Sequence, residues 1–134
     1  MALAIIDDNI QLRNITGQQL LKSGFTILFQ AGNGQEALQK ISEDNSLPEV
    51  IIIEEKFEAA DLLLEKYPDL KVLICSTKDD EESVCSMLKI GVSGYVLKYA
   101  DPDELTTAIN ALKGEKKYFS LGICDIVKNY LKRN

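Results

Sequence analysis

The sequence predicts an α/β domain in which five parallel strands form one sheet in the order 2-1-3-4-5, with helices on both faces. Three observations carry this. Strand-like and helix-like segments alternate five times along 134 residues, with connections too short to separate domains. Val50 to Ile53 is an unbroken β-branched apolar run behind Pro48-Glu49, as in a central strand covered on both sides. Polar residues follow strands 1, 3, 4 and 5, at the carboxyl edge where open α/β sheets bind ligands.

In chain order, Leu3 to Ile6 is a short apolar strand ending at Asp7-Asp8. Asn9 suits the cap of a helix with apolar positions Leu12, Ile15, Leu20 and Leu21, closing at Ser23-Gly24. Thr26 to Phe29 is the second strand. Asn33-Gly34 opens a helix with Ala37, Leu38 and Ile41 inward, which runs out in a polar loop over 42–46. After the central strand a short helix is expected over about Glu58 to Lys66, then a strand over Val72 to Cys75 ending at Ser76 and Thr77. Asp79 to Lys89 is a helix with the stripe Val84, Met87 and Leu88, stopped by Gly91.

Tyr95 to Leu97 is the fifth strand and ends at Lys98. Asp101 to Glu104, D-P-D-E, is a helix start with a cap, a proline at the first position and acids in the first turn. That helix carries Leu105, Ala108, Ile109 and Leu112 as far as Gly114. A last amphipathic segment over Leu121 to Leu131 has Leu121, Ile123, Ile126, Val127, Tyr130 and Leu131 on its apolar stripe, with Lys128, Lys132 and Arg133 outside it. A helix this short is marginal alone in water, so it must pack on something. Self-docking is the expectation, with a homodimer through this segment as the alternative.

Composition narrows the function classes. There is no apolar run of membrane-span length and no signal-peptide pattern, and the odd count of three cysteines lacks C-x-x-C spacing, so a cytoplasmic chain with reduced thiols is expected. The net charge of −6 argues against direct nucleic-acid binding by this segment. Residues 113–134 nevertheless hold six Lys/Arg against two acids, which leaves −10 on residues 1–112. The complete lack of histidine removes His-based acid–base catalysis, Ser-His and Cys-His pairs, and the usual zinc sets.

The strand order brings Asp7, Asp8, Glu54, Ser76 and Lys98 to one edge. Carboxylates, a hydroxyl and an ammonium together suit a hard cation and phosphoryl oxygens. The stretches I-I-D-D (5–8), P-E-V-I-I-I-E (48–54), Y-P-D-L-K-V-L-I-C-S (67–76), G-V-S-G-Y-V-L-K (91–98) and D-P-D-E-L (101–105) resemble the receiver domain of two-component response regulators. Their wording, with Tyr99 rather than proline after Lys98, resembles the NarL/LuxR-type subfamily. The resemblance implies a flavodoxin-like, CheY-like (βα)5 receiver over residues 1–114. Residues 115–134 are similar to the linker helix that leads, in that subfamily, to a helix-turn-helix DNA-binding domain lying outside this chain.

By the same resemblance Asp7 and Asp8 match Mg²⁺-binding acids, Ser76 the hydroxyl that senses a phosphoryl group, Tyr95 the aromatic switch and Lys98 the phosphate-contacting lysine. Two departures stand out. Glu54 holds the phospho-acceptor position, and roughly six residues are too few between Glu54 and Pro68, where the family's loop supplies a carbonyl to the metal. These imply a degenerate, non-enzymatic receiver that signals through protein contacts without a phosphorylation cycle and with Mg²⁺ at most weakly held. The alternative is a working receiver phosphorylated on Glu54 or Glu55. A flavodoxin-like cofactor protein is a third class, disfavoured because D-D-N-I after strand 1 lacks the residues that cradle an FMN phosphate. A fixed ion pair between Glu54 and Lys98, the only cation expected nearby, would stand in place of the phosphoryl switch at a partly solvated edge.

Overall fold

The central strand forms where its apolar run predicts. In the computed structural model, which describes residues 2–98, 101 and 103–133, β3 (Val50–Glu54) lies between β1 (Ala2–Ile6) and β4 (Lys71–Ser76) and runs parallel to both. Ile51, Ile52 and Ile53 have no solvent exposure. β2 (Thr26–Ala31) pairs with the outer side of β1, and β5 (Gly94–Leu97) with the outer side of β4. The predicted order 2-1-3-4-5 is therefore present, and a sixth strand extends it. β6 (Tyr118–Phe119) pairs in parallel with β5 to complete β2-β1-β3-β4-β5-β6.

Alternation along the strands divides the interior into two apolar layers. Ala4, Ile6, Ile51, Ile53, Ile74 and Tyr95 face α2 (Gly34–Asp44), α3 (Phe57–Lys66) and α4 (Glu81–Ile90). Leu3, Ile5, Val50, Ile52, Leu73 and Val96 face α1 (Ile10–Lys22) and α5 (Asp103–Lys113). The Asn9 and Asn33 caps are those the sequence predicts, whereas α4 is capped by Asp80, a residue that the expected helix from Asp79 places inside it. Asn9, Asn33 and Asp80 accept from the backbone amides of Leu12, Glu36 and Ser83, and Gly91 closes α4 at φ 97°. Asp101 accepts from the Asp103 amide, whereas Pro102 of the same expected helix start, and Tyr99, lie outside the described residues.

Two expectations about apolar faces need correction. In α1 Leu20 of the predicted stripe is buried, together with Gly17, while Leu12, Ile15 and Leu21 are about half exposed or more, so only one position of that stripe lies on the packing face. The tail does not run as one helix from Leu121. It begins with β6, passes through a 3-10 turn (Leu121–Ile123) and continues as α6 (Cys124–Arg133), which packs on α4. Ile123 and Val127 enter the core, but Leu121 and Leu131 stay exposed at 87% and 64%.

The tail is tied to the sheet by the close approach of β6 and by Ser120. A Cβ on Gly94 would lie 2.9 Å from the Tyr118 carbonyl oxygen, so glycine there is what lets β6 reach β5. The buried Ser120 hydroxyl accepts from the Leu97 amide at 2.9 Å and bonds the Glu104 carboxylate. Among the described residues no helix is long and apolar enough to cross a membrane.

If the tail belongs to the core, Ile123→Ala should lower the urea-unfolding free energy by about 2–4 kcal/mol, whereas Leu121→Ala should stay within about 0.5 kcal/mol of wild type. Equal losses at the two positions would contradict this packing.

Candidate functional site

The side chains at the carboxyl edge sort by the two-residue period of the strands. The chain leaves β1 with Asp7 turned inward and Asp8 outward, because successive residues point to opposite sides. Asp7 is 4% exposed. Its Oδ1 accepts from the Asn9 amide at 3.0 Å, its carbonyl accepts from Arg13 Nη1 at 3.0 Å, and its buried Oδ2 has no hydrogen-bond partner. Asp8 is exposed and its Oδ2 lies 3.0 Å from Lys56 Nζ. Hydrogen bonding from that ammonium, more than its charge alone, holds the Asp8 carboxyl below its ordinary value.

Glu54 ends β3 beside Asp7. Its Oε1 lies 3.4 Å from the Thr16 hydroxyl and its Oε2 3.8 Å from Lys98 Nζ. The expected ion pair with Lys98 is thus present but long. Its surroundings differ from the expectation of a partly solvated edge, since only 11% of the Glu54 side chain is exposed. Burial pushes the Glu54 carboxyl up to about 7, the neighbouring Asp7 adds to the rise, and Lys98 and Thr16 oppose it without prevailing.

The convergence read from the sequence is partial. Asp7, Glu54 and Lys98 meet, but Asp8 turns away to Lys56, so Lys98 is not the only nearby cation. Ser76 is buried at the end of β4, and its Oγ accepts from the Lys78 amide at 3.0 Å. Tyr95 is fully buried, points inward, and donates its hydroxyl to the Lys78 carbonyl at 2.6 Å. Phe57 meets the Tyr95 ring edge-on at 6.0 Å, and Lys78 Nζ lies 5.2 Å from the Phe57 centroid.

Several members of this site escaped the sequence reading. Thr16 and Arg13 reach it from α1, and Lys56 and Phe57 come from the turn after β3. Only Lys56 carried a local signal, as a lone cation directly after two acids. Glu55, which the sequence offers as an alternative phospho-acceptor, adopts φ 60° and accepts from both the amide and the hydroxyl of Thr77.

Comparison with known proteins sets this geometry in context. Residues 3–110 match the family model of the response regulator receiver domain. The transcriptional regulatory protein DegU of Brevibacillus brevis is 31% identical over 96% of this chain and 57% of its own length. The oxygen regulatory protein NreC of Staphylococcus haemolyticus is 32% identical over 86% of this chain and 56% of its own. The chain thus spans a little over half the length of these curated relatives. Among solved structures, a LuxR-family two-component response regulator from Aurantimonas superposes with a TM-score of 0.85 at 21% identity, covering 97% of both chains. The isolated receiver domain of RcsB from Salmonella enterica serovar Typhimurium, in the apo form, gives 0.83 at 16% identity over 96% of this chain and 98% of its own. At such identities the likeness is one of fold.

The Glu54 titration makes a prediction with a definite sign. Its value in the folded chain lies above the ordinary 4.5, so its contribution is full below about pH 4.5 and is lost as pH rises through about 7. Without histidine, no imidazole titration overlaps this window. In chelator-containing buffer, Glu54→Gln should gain about 2 kcal/mol on wild type between pH 4.5 and 7.5, allowing for partial solvent screening. A stability difference that stays constant across that range would contradict the assignment.

Proposed function

Because this chain belongs to the response regulator receiver domain family, we propose that it serves as a two-component signalling module of the LuxR/NarL type that acts through protein contacts, without phosphorylation at the usual carboxylate. The observation that carries this reading is the state of Glu54. It stands at the phospho-acceptor position with its carboxyl mostly buried, beside Asp7 and facing Lys98. A nucleophile must be ionised and aimed in line at phosphorus. A glutamate whose buried carboxyl is pushed toward protonation, sits one methylene further out than an aspartate's and faces the lysine meets neither condition well.

The donor set also speaks against a divalent cation. Mg²⁺ asks for an octahedron of oxygens with one or two carboxylates free to bind it. Asp8 is engaged by Lys56 at 3.0 Å, and Asp7 offers one buried oxygen. Among the described residues no group of three or more acids, thiols or imidazoles gathers as a metal site. Lys56 and Lys98 supply two positive charges at the edge where a divalent ion would otherwise balance the acids. These observations support a site that is complete without Mg²⁺, so we assign Asp7, Asp8 and Glu54 no role in holding it.

Partners follow from the relatives rather than from this chain's own surface. DegU and NreC carry regulatory names and extend well beyond the matched region. The reading therefore includes a homodimer and a DNA-binding domain outside these 134 residues, in a cytoplasmic regulator of transcription. Incubation with acetyl phosphate and Mg²⁺ should leave the intact mass unchanged, and beryllofluoride with Mg²⁺ should leave the amide spectrum unchanged. A stoichiometric adduct of about 80 Da on Glu54 or Glu55, the mass of a phosphoryl group, would overturn the reading.

A further inference from the structure

The turn from β3 into α3 consists of Glu55 and Lys56 alone, and it places Glu55 in the left-handed region at φ 60°. That conformation costs a non-glycine residue free energy and persists only where the surroundings impose it. Two contacts impose it here. The Glu55 amide donates to the Cys75 carbonyl at 3.0 Å, continuing the pairing of β3 with β4 one residue beyond the strand. The Glu55 carboxylate then lies across the end of β4. Its Oε1 accepts from the Thr77 amide at 3.1 Å and its Oε2 from the Thr77 hydroxyl at 3.0 Å. Each oxygen thus accepts from Thr77, the first residue after β4.

Thr77 is the first link of a short chain of contacts. Lys78, the next residue, donates its amide to Ser76 Oγ and accepts the Tyr95 hydroxyl on its carbonyl. Asp80 then caps α4 through the Ser83 amide. The loop from Ser76 to Asp80 is therefore held at its start by Glu55, in its middle by Ser76 and Tyr95, and at its end by the helix cap. A phosphoryl group bound at this edge would draw the loop in through its oxygens, since it offers hydrogen-bond acceptors and negative charge. Glu55 offers a carboxylate to that loop from within the chain.

We propose that Glu55 is a built-in acidic latch, which fixes the β4–α4 loop and the inward Tyr95 in one arrangement and so does permanently what a transferred phosphoryl group would do transiently. The proposal rests on the reading of this chain as an unphosphorylated receiver, and it assigns the latch to Glu55 rather than to the acceptor-position Glu54. Glu55 is a positioning residue: it acts on Tyr95 through Thr77 and Lys78. The ionisation state fits this use. Burial disfavours the charged form, but hydrogen bonds from Ser76 and Thr77 outweigh it and hold the Glu55 carboxyl below its ordinary value.

Amide hydrogen exchange on the intact chain tests the latch. Glu55→Ala should speed exchange at the Thr77 and Lys78 amides by about tenfold, the scale of a lost hydrogen bond to a charged group. Exchange in β3 and β4 should stay slow, which separates loss of the latch from loss of the fold. Glu55→Asn tolerates the left-handed turn but is too short to reach Thr77, so it should reproduce the effect in a chain whose turn is unstrained. Glu58→Ala, which removes a nearby exposed acid, should leave Thr77 unchanged. Unaltered exchange at Thr77 and Lys78 in both Glu55 variants would overturn the latch. A phosphoryl adduct on wild type would instead overturn the underlying reading, and it is seen by mass without reference to exchange.

Discussion

Two residues join the buried central strand to the helix that covers it, and most of the site follows from that shortness. Glu55 and Lys56 must reverse the chain between Glu54 and Phe57, which leaves no slack for a loop that wraps over the sheet edge. The turn throws the Glu55 carboxylate toward Thr77 and the Lys56 ammonium toward Asp8. It also lands Phe57 against Tyr95, with the Lys78 ammonium over the Phe57 ring. A longer connection would free each of these side chains to face solvent.

Charge balance at the edge has the same origin. Three acids meet the end of the sheet, and the chain answers each differently. Asp8 is neutralised by Lys56 in solvent, where such pairs contribute little to stability. Glu54 faces Lys98 at 3.8 Å, yet burial still pushes its carboxyl up, because the cation offsets only part of the cost of burying the charge. Asp7 keeps one oxygen on a backbone amide and one beside Glu54. Ser76 and Tyr95 are both engaged by Lys78, through its amide and its carbonyl.

Much of this was legible in the sequence, and the omissions share a cause. Long periodic signals were read correctly: the Val50–Ile53 run, the Asn9 and Asn33 caps, Gly91, and the five strands in their order. The alternation of Asp7 and Asp8 was also legible, since a strand cannot point neighbours the same way, yet the acids were first read as converging. β6 was not legible, because two residues carry no periodicity and their pairing depends on the missing side chain of Gly94 across the sheet. The α1 stripe misleads at Leu12, Ile15 and Leu21 because exposed leucines and isoleucines are common on helices, while the contact runs through Leu20 and the unpredicted Gly17. The left-handed Glu55 could not be read at all, since no local preference puts glutamate there and only its tertiary contacts hold it.

With Asp8 paired to Lys56 and Glu54 facing Lys98, the proposed function leaves the acids of this edge no role in holding a divalent ion. Titration of the ¹⁵N-labelled chain with Mg²⁺, followed by its amide spectrum, tests that claim most directly. The account predicts no saturable shifts at Asp7, Asp8 or residues 54–56 as Mg²⁺ rises through millimolar concentrations. A single saturating site, with coordinated shifts at those amides, would contradict it.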